Sequence, residues 1–273
     1  MSTLSNMRVG NHDLNATRRT SILPADDILA NVFVLLITTL EDIPSEQPRL
    51  SLTISQVCRT WRRVALATPS LWCTIDTHRP KLIPLYLERS RPRARYDRGI
   101  HVYWSPRADY IDPSFHLQIL PHAERITKIT LELWSHDTRP CSVLKKLGPT
   151  LQNVKTLHIS ADCIKLGDLD CQMPRLAAVR CSCSYVGEEL FRSLSKFYTL
   201  ERLTLTDVQT VQPSLQTDDG WVGLPGLFNL KEYEVQSKLE LLARGLNTSD
   251  NCTIKFNDHY RKRFVGMARR VLW

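Results

Sequence analysis

Five times between residues 126 and 235 the sequence returns to one template, with apolar residues at the first, fourth and sixth of six places. The matches are Ile126/Ile129/Leu131, Val154/Leu157/Ile159, Leu176/Val179/Cys181, Leu200/Leu203/Leu205 and Leu230/Tyr233/Val235. Their starts are separated by 28, 22, 24 and 30 residues. Few folds accept such a pattern. The alternation that ends each match suits a short strand with one buried face. The stretches between, such as 142–147 and 186–196, read as helix. Strand followed by helix, repeated, is how a solenoid stacks one unit on the next. Further strands are expected at 100–104 and 252–256. The Asn or Cys usual three places beyond the last apolar residue is replaced by Trp134, Asp162, Ser184, Val208 and Lys238. The repeat is therefore irregular, and an ordinary α/β sheet is the alternative.

The same alternation assigns a second face. Thr130 and Glu132, His158 and Ser160, Arg180 and Ser182, Thr204 and Thr206, and Glu234 and Gln236 point away from the apolar residues. On a curved sheet these are the concave-side candidates for holding a protein target. They carry no single charge sign, which suits protein recognition better than a phosphate backbone. Cys181 falls on the core side with Val179, and Cys183 lies in line with it. Eight cysteines are present without one C-x-x-C pair, the nearest spacing being Cys181-Ser182-Cys183. Zinc sites ordinarily use paired cysteines or closely spaced histidines, so no metal ligands are assigned. The expectation is reduced, mostly buried thiols in a cytoplasmic or nuclear protein.

The first third has a different rhythm. Pro24 followed by Asp26 and Asp27 suits a helix start, where proline loses no hydrogen bond and acids meet the helix dipole. Ile28, Leu29, Val32, Phe33 and Leu36 follow at helical spacing. Asp42, Pro44, Ser45 and Pro48 read as a loop. A second periodic run, Leu52, Val57, Cys58, Trp61, Val64 and Ala65, ends at Pro69, and Leu71, Trp72 and Ile75 form another apolar cluster. Leu23-Pro24, then Ser55-Gln56-Val57-Cys58-Arg59-Thr60-Trp61-Arg62, then Ala65, Pro69, Leu71 and Trp72 together resemble the F-box. After it, Leu87-Glu88-Arg89-Ser90 is similar to the junction of F-box proteins that carry degenerate leucine-rich C-terminal regions.

That resemblance implies a three-helix module docking on a Skp-type adaptor, and through it a cullin–RING ubiquitin ligase. Carried over residue by residue, the adaptor-binding candidates are Leu23, Pro24, Ile28, Val57, Cys58 and Trp61, while Phe33 and Val64 are expected to pack inward. The implied fold class is α+β, with a three-helix module followed by an irregular, leucine-rich-repeat-like α-β solenoid. The expected organisation is a tail over 1–19, the helical module over 20–77, a basic junction with a first strand over 78–125, the repeat region over 126–258 and a capping helix over 259–273.

Charge follows position. The chain is +8 overall, yet 79–107 holds 8 basic and 2 acidic residues, and 259–273 holds 5 basic and none acidic. The remainder is slightly acidic. The expected roles are a linker and a cap, with nucleic-acid binding through the two basic segments as an alternative. No apolar run is long enough to cross a membrane, since the longest, near 29–40, is interrupted by Asn31, Thr38 and Thr39. The opening residues lack the apolar run of a secretory signal. There is no G-x-S-x-G, H-E-x-x-H or phosphate-cradling glycine loop. The sequence thus points to a non-enzymatic receptor without cofactor or small-molecule substrate. A repeat scaffold uncoupled from any ligase is the other reading.

Overall fold

A computed structural model describes residues 23–41, 43–91, 99–104, 115–132, 151–163, 173–208, 210–211, 227, 229–235 and 252–256. The expected tail (1–19), the expected capping helix (259–273), the helix-like stretch 142–147 and Gln236 lie outside them.

The chain opens with three helices, α1 (Leu23–Thr38), α2 (Gln47–Gln56) and α3 (Arg59–Ala67). Pro48 stands in the first turn of α2 and not in the loop expected from composition. A proline there gives up an N–H that has no helical partner anyway. The run expected to be continuous from Leu52 to Ala65 is two helices. Val57 caps α2, and the backbone turns extended at Cys58, whose Sγ accepts from the Trp61 N–H at 3.5 Å. The apolar period passes through this break without a gap, so periodicity alone does not reveal it.

Phe33, Ile37, Ile54, Val64 and Ala65 are buried between the three helices. The Phe33 and Trp61 rings pack tilted, with centroids 5.0 Å apart. The Gln47 amide donates to Ile37 O and Leu40 O, and its Oε1 accepts from Thr74 Oγ1. A buried amide with every such group engaged fixes register between helices without the cost of an orphaned polar atom. A 3-10 turn, Pro69–Trp72, then leads into a three-residue strand, β1 (Thr74–Asp76). A short helix, α4 (Ile83–Arg89), follows and returns to the module through Tyr86 Oη donating to Pro48 O at 2.7 Å.

The remaining strands are β2 (Ile100–Trp104), β3 (Ile126–Glu132), β4 (Thr156–Cys163), β5 (Ala178–Val186), β6 (Arg202–Thr206), β7 (Thr210–Val211), β8 (Glu232–Val235) and β9 (Thr253–Phe256). Two further helices, α5 (Phe115–Ile119) and α6 (Glu188–Leu194), are described between them. Every described pairing is parallel, and the sheet runs β1-β2-β3-β4-β5-β6-β8-β9, with β7 joined to β5. Each strand pairs with the next one along that path, so the fold combines helices with one parallel sheet. β1 is an addition to the expected strands. Its three residues are too few to show alternation, and they sit inside what reads as the helical module.

The register follows the sequence template. Ile75, Val102, Ile129, Leu157, Val179, Leu203, Tyr233 and Ile254 form one row across the sheet, and Trp104, Leu131, Ile159, Cys181, Leu205, Val235 and Phe256 form the next. Stacking identical positions keeps the apolar face continuous, since a slip of one residue would turn it to solvent. Just ahead of each apolar start, a polar side chain ties one unit to the previous one. Asn153 Nδ2 donates to Glu124 O at 2.7 Å, Thr199 Oγ1 to Pro174 O at 3.0 Å and Asn229 Nδ2 to Tyr198 O at 2.6 Å. One apolar cluster extends from Phe33 in α1 through Trp72 and Trp104 to Tyr233 in β8, so helices and sheet share a core.

Candidate partner-docking surfaces

Two surfaces follow from this arrangement. The first is the outer side of the helical module. On α1 the residues Leu29, Ala30, Phe33 and Ile37 pack toward the core, leaving the opposite stripe to solvent. That stripe holds Ile28 (63% exposed), Val32 (45%), Leu35 (64%) and Leu36 (40%). These positions fall on one face at helical spacing. Val57, at the break between α2 and α3, is 56% exposed. An exposed apolar stripe of this kind makes the outer side of α1 a candidate interaction surface.

The expected adaptor-binding residues divide accordingly. Leu23 and Pro24 open α1. Ile28 and Val57 present apolar surface outward, and Cys58 is exposed while capping α3 with its sulfur. Trp61 is half-buried, because its ring packs on Phe33. It therefore serves the module's own packing as well as its surface. Val32 and Leu36, placed with Ile28 at helical spacing but assigned to neither face, point outward. Leu35, which helical periodicity with the core did not single out, belongs to the same stripe. The signal for it was present in three successive apolar residues, Val34-Leu35-Leu36, since only a fully enclosed helix can bury all of them.

Around the stripe the module is held by exposed polar links. Arg63 makes a two-pronged ion pair with Asp26, joining α3 to α1. That hydrogen bond, supported by the arginine's charge, holds the Asp26 carboxyl below its ordinary range. Arg62 Nε donates to Ser55 O at 2.9 Å across the α2–α3 break.

The second surface is the polar face of the sheet. The register places Asp76, Tyr103, Thr130, His158, Arg180, Thr204, Glu234 and Lys255 in one row, and Glu132, Ser160, Ser182 and Thr206 in another. The nine described sequence-assigned candidates thus share these two rows. Two of them are not open contact points. Thr130 is 1% exposed, with Oγ1 hydrogen-bonded to His101 Nε2 at 2.9 Å, and Thr206 is 4% exposed, donating to Cys181 O. Glu132, His158, Ser160, Arg180, Ser182, Thr204 and Glu234 are half-buried. Ser182 donates to Asp207, whose backbone takes a left-handed turn at φ 61° at the end of β6.

Sequence reading passed over His101, the least expected member of this face. Burial holds its imidazole down to about 3, with Lys128 and His158 adding repulsion. The ring is therefore neutral, and Thr130 satisfies one of its nitrogens. On the apolar side, Cys181 and Cys183 are fully buried, and burial pushes the Cys181 thiol well up. No helix among the described residues is long and apolar enough to cross a membrane. No family model and no curated protein matches this chain.

Proposed function

We propose that this chain is the substrate-recognition subunit of a Skp–cullin–F-box type ubiquitin ligase. In this reading α1, α2 and α3 are an F-box that docks a Skp-type adaptor. The strands from β2 onward, with their intervening helices, are an irregular leucine-rich-repeat-like solenoid that holds a protein target on its polar face. The chain then contributes proximity, raising the effective concentration of a target lysine near the ligase, and no bond chemistry of its own. The observation that carries the reading is the uncovered stripe Ile28, Val32, Leu35 and Leu36, with Val57 beside the α2–α3 break, on helices whose sequence resembles the F-box. An isolated domain gains nothing from such a stripe, whereas a docked helix buries it at roughly 25 cal/mol per Å².

Co-expression with an affinity-tagged Skp-type adaptor tests the proposal. Capture of the chain is expected. Val32→Asp and Leu35→Asp should each reduce it by at least about tenfold, since a charge on an apolar contact face is left desolvated, while the melting temperature stays near that of the parent. Absence of capture by any Skp-type adaptor would end the reading.

A further inference from the structure

Between α3 and α4, clear of the α1 stripe, lies an open cleft of about 470 Å³ lined by Leu66, Leu85, Glu88, Arg89 and Arg91. Its size is within the range of ligand-binding sites. Leu66 is 36% exposed, an apolar wall facing solvent. Opposite it the charge is fixed in place. The Arg89 guanidinium carbon lies 4.3 Å over the Trp72 ring, and Trp72 Nε1 donates to Ala65 O, the residue before Leu66, at 2.9 Å. One buried tryptophan therefore sets both the cation and the apolar wall. Arg125 holds the end of α4 by donating to Leu87 O, Ser90 O and Ser90 Oγ, which fixes the chain between Arg89 and Arg91. A cation stacked in this way loses less freedom on binding a carboxylate than a free side chain does.

We propose that this cleft binds an acidic segment of a partner protein, an aliphatic side chain resting on Leu66 and Leu85 while adjacent carboxylates meet Arg89 and Arg91. Charge complementarity selects the occupant. Two arginines face one glutamate, and the sequence that follows continues the same sign with Arg93, Arg95 and Arg98 against Asp97. The lining argues against nucleic acid. Among the described residues it offers no open aromatic face for a base, because Trp72 is fully buried beneath Arg89. Glu88 also repels a continuous phosphate chain. The basic junction, unexplained by the adaptor reading, thereby acquires a binding role that does not depend on that reading.

The test is fluorescence anisotropy of the full chain with a short fluorescein-labelled peptide carrying leucine between glutamates. The controls are the same peptide with glutamines and a labelled single-stranded DNA oligonucleotide. The acidic peptide should bind, weaken as salt rises, and exceed the glutamine version by about tenfold or more, the scale of one charge-assisted hydrogen bond. Arg91→Glu and Leu66→Asn should each weaken it by a similar factor. Arg91 is exposed, so its substitution remains readable even where Leu66→Asn lowers stability. No binding of the acidic peptide, binding that Arg91→Glu leaves unchanged, or tighter binding of the oligonucleotide would each overturn the proposal.

Discussion

The helical module and the sheet treat their apolar residues in opposite ways. Along the sheet the template positions of β3 to β6 are buried, with Ile129, Leu157, Val179 and Leu203 between 0% and 2% exposed. On α1 nearly half of the apolar residues stay in water. The sheet is closed by its own repetition, since every strand provides the wall for the next. Three short helices enclose too little volume to do the same, and one face of α1 is left over. The difference separates residues whose burial specifies the fold from residues whose burial the fold does not require.

Substituting one residue type in both regions probes that contrast most strongly. Leu157 is fully buried in β4, and Leu35 is 64% exposed on α1. Leu157→Ala should cost about 2–5 kcal/mol of unfolding free energy, from lost transfer energy and the cavity left behind. Leu35→Ala should stay within about 0.5 kcal/mol. Chemical denaturation of the full chain measures both. Equal losses would mean that the α1 stripe is covered within the chain, and the contrast between the regions would fall.

The sheet was the more legible of the two in sequence, and the reason is physical. A parallel stack repeats its register, so its signal accumulates over five matches, and even the partial matches at 100–104 and 252–256 mark strands β2 and β9. Local devices leave weaker traces. β1 is three residues long, and the Cys58 break interrupts no apolar period. α4 carries Pro84 near its start, which reads as a loop signal although it costs a first turn nothing. Outward exposure was legible for Ile28 and Val57, which the F-box resemblance singled out. It was not legible for Val32 and Leu36, because periodicity finds the two faces of a helix without telling which one is covered. The burial of Thr130 depends on His101 in the neighbouring strand, a pairing no local pattern contains.

The titratable groups sharpen the contrast next. In the helical module the Asp26–Arg63 pair is solvated, whereas His101 in β2 is buried and neutral, held down to about 3 against 6.5 for a free imidazole. The unfolded chain binds a proton at His101 below 6.5, and the folded chain does not. The unfolded state therefore gains protons first, and stability present above pH 6.5 is lost as the pH falls toward 3. The slope approaches 1.4 kcal/mol per pH unit for one such group. His101→Gln, which keeps a side chain able to reach Thr130, should flatten that part of the stability–pH curve between pH 6.5 and 4. An unchanged slope would place the acid sensitivity elsewhere.

The smallest effect concerns how the stack is tied at its rim. Asn153, Thr199 and Asn229 each donate to a carbonyl of the preceding unit, and Arg175 links into the same series by donating to Asn153 Oδ1 at 2.8 Å. Removing Asn153 frees the Glu124 carbonyl and the Arg175 guanidinium together. Both lie at the exposed rim, where water takes over as partner, so Asn153→Ala should cost only about 0.5–1.5 kcal/mol. Because the tie crosses from one unit to the next, its loss should act locally. Amide hydrogen exchange should rise at the β3–β4 pairing, between Lys128 and Glu132 and between Thr156 and Ser160, and change little in α1 to α3. Exchange that rises equally through the helices would mean that the shared apolar core transmits the loss, and that the module and the sheet unfold as one unit.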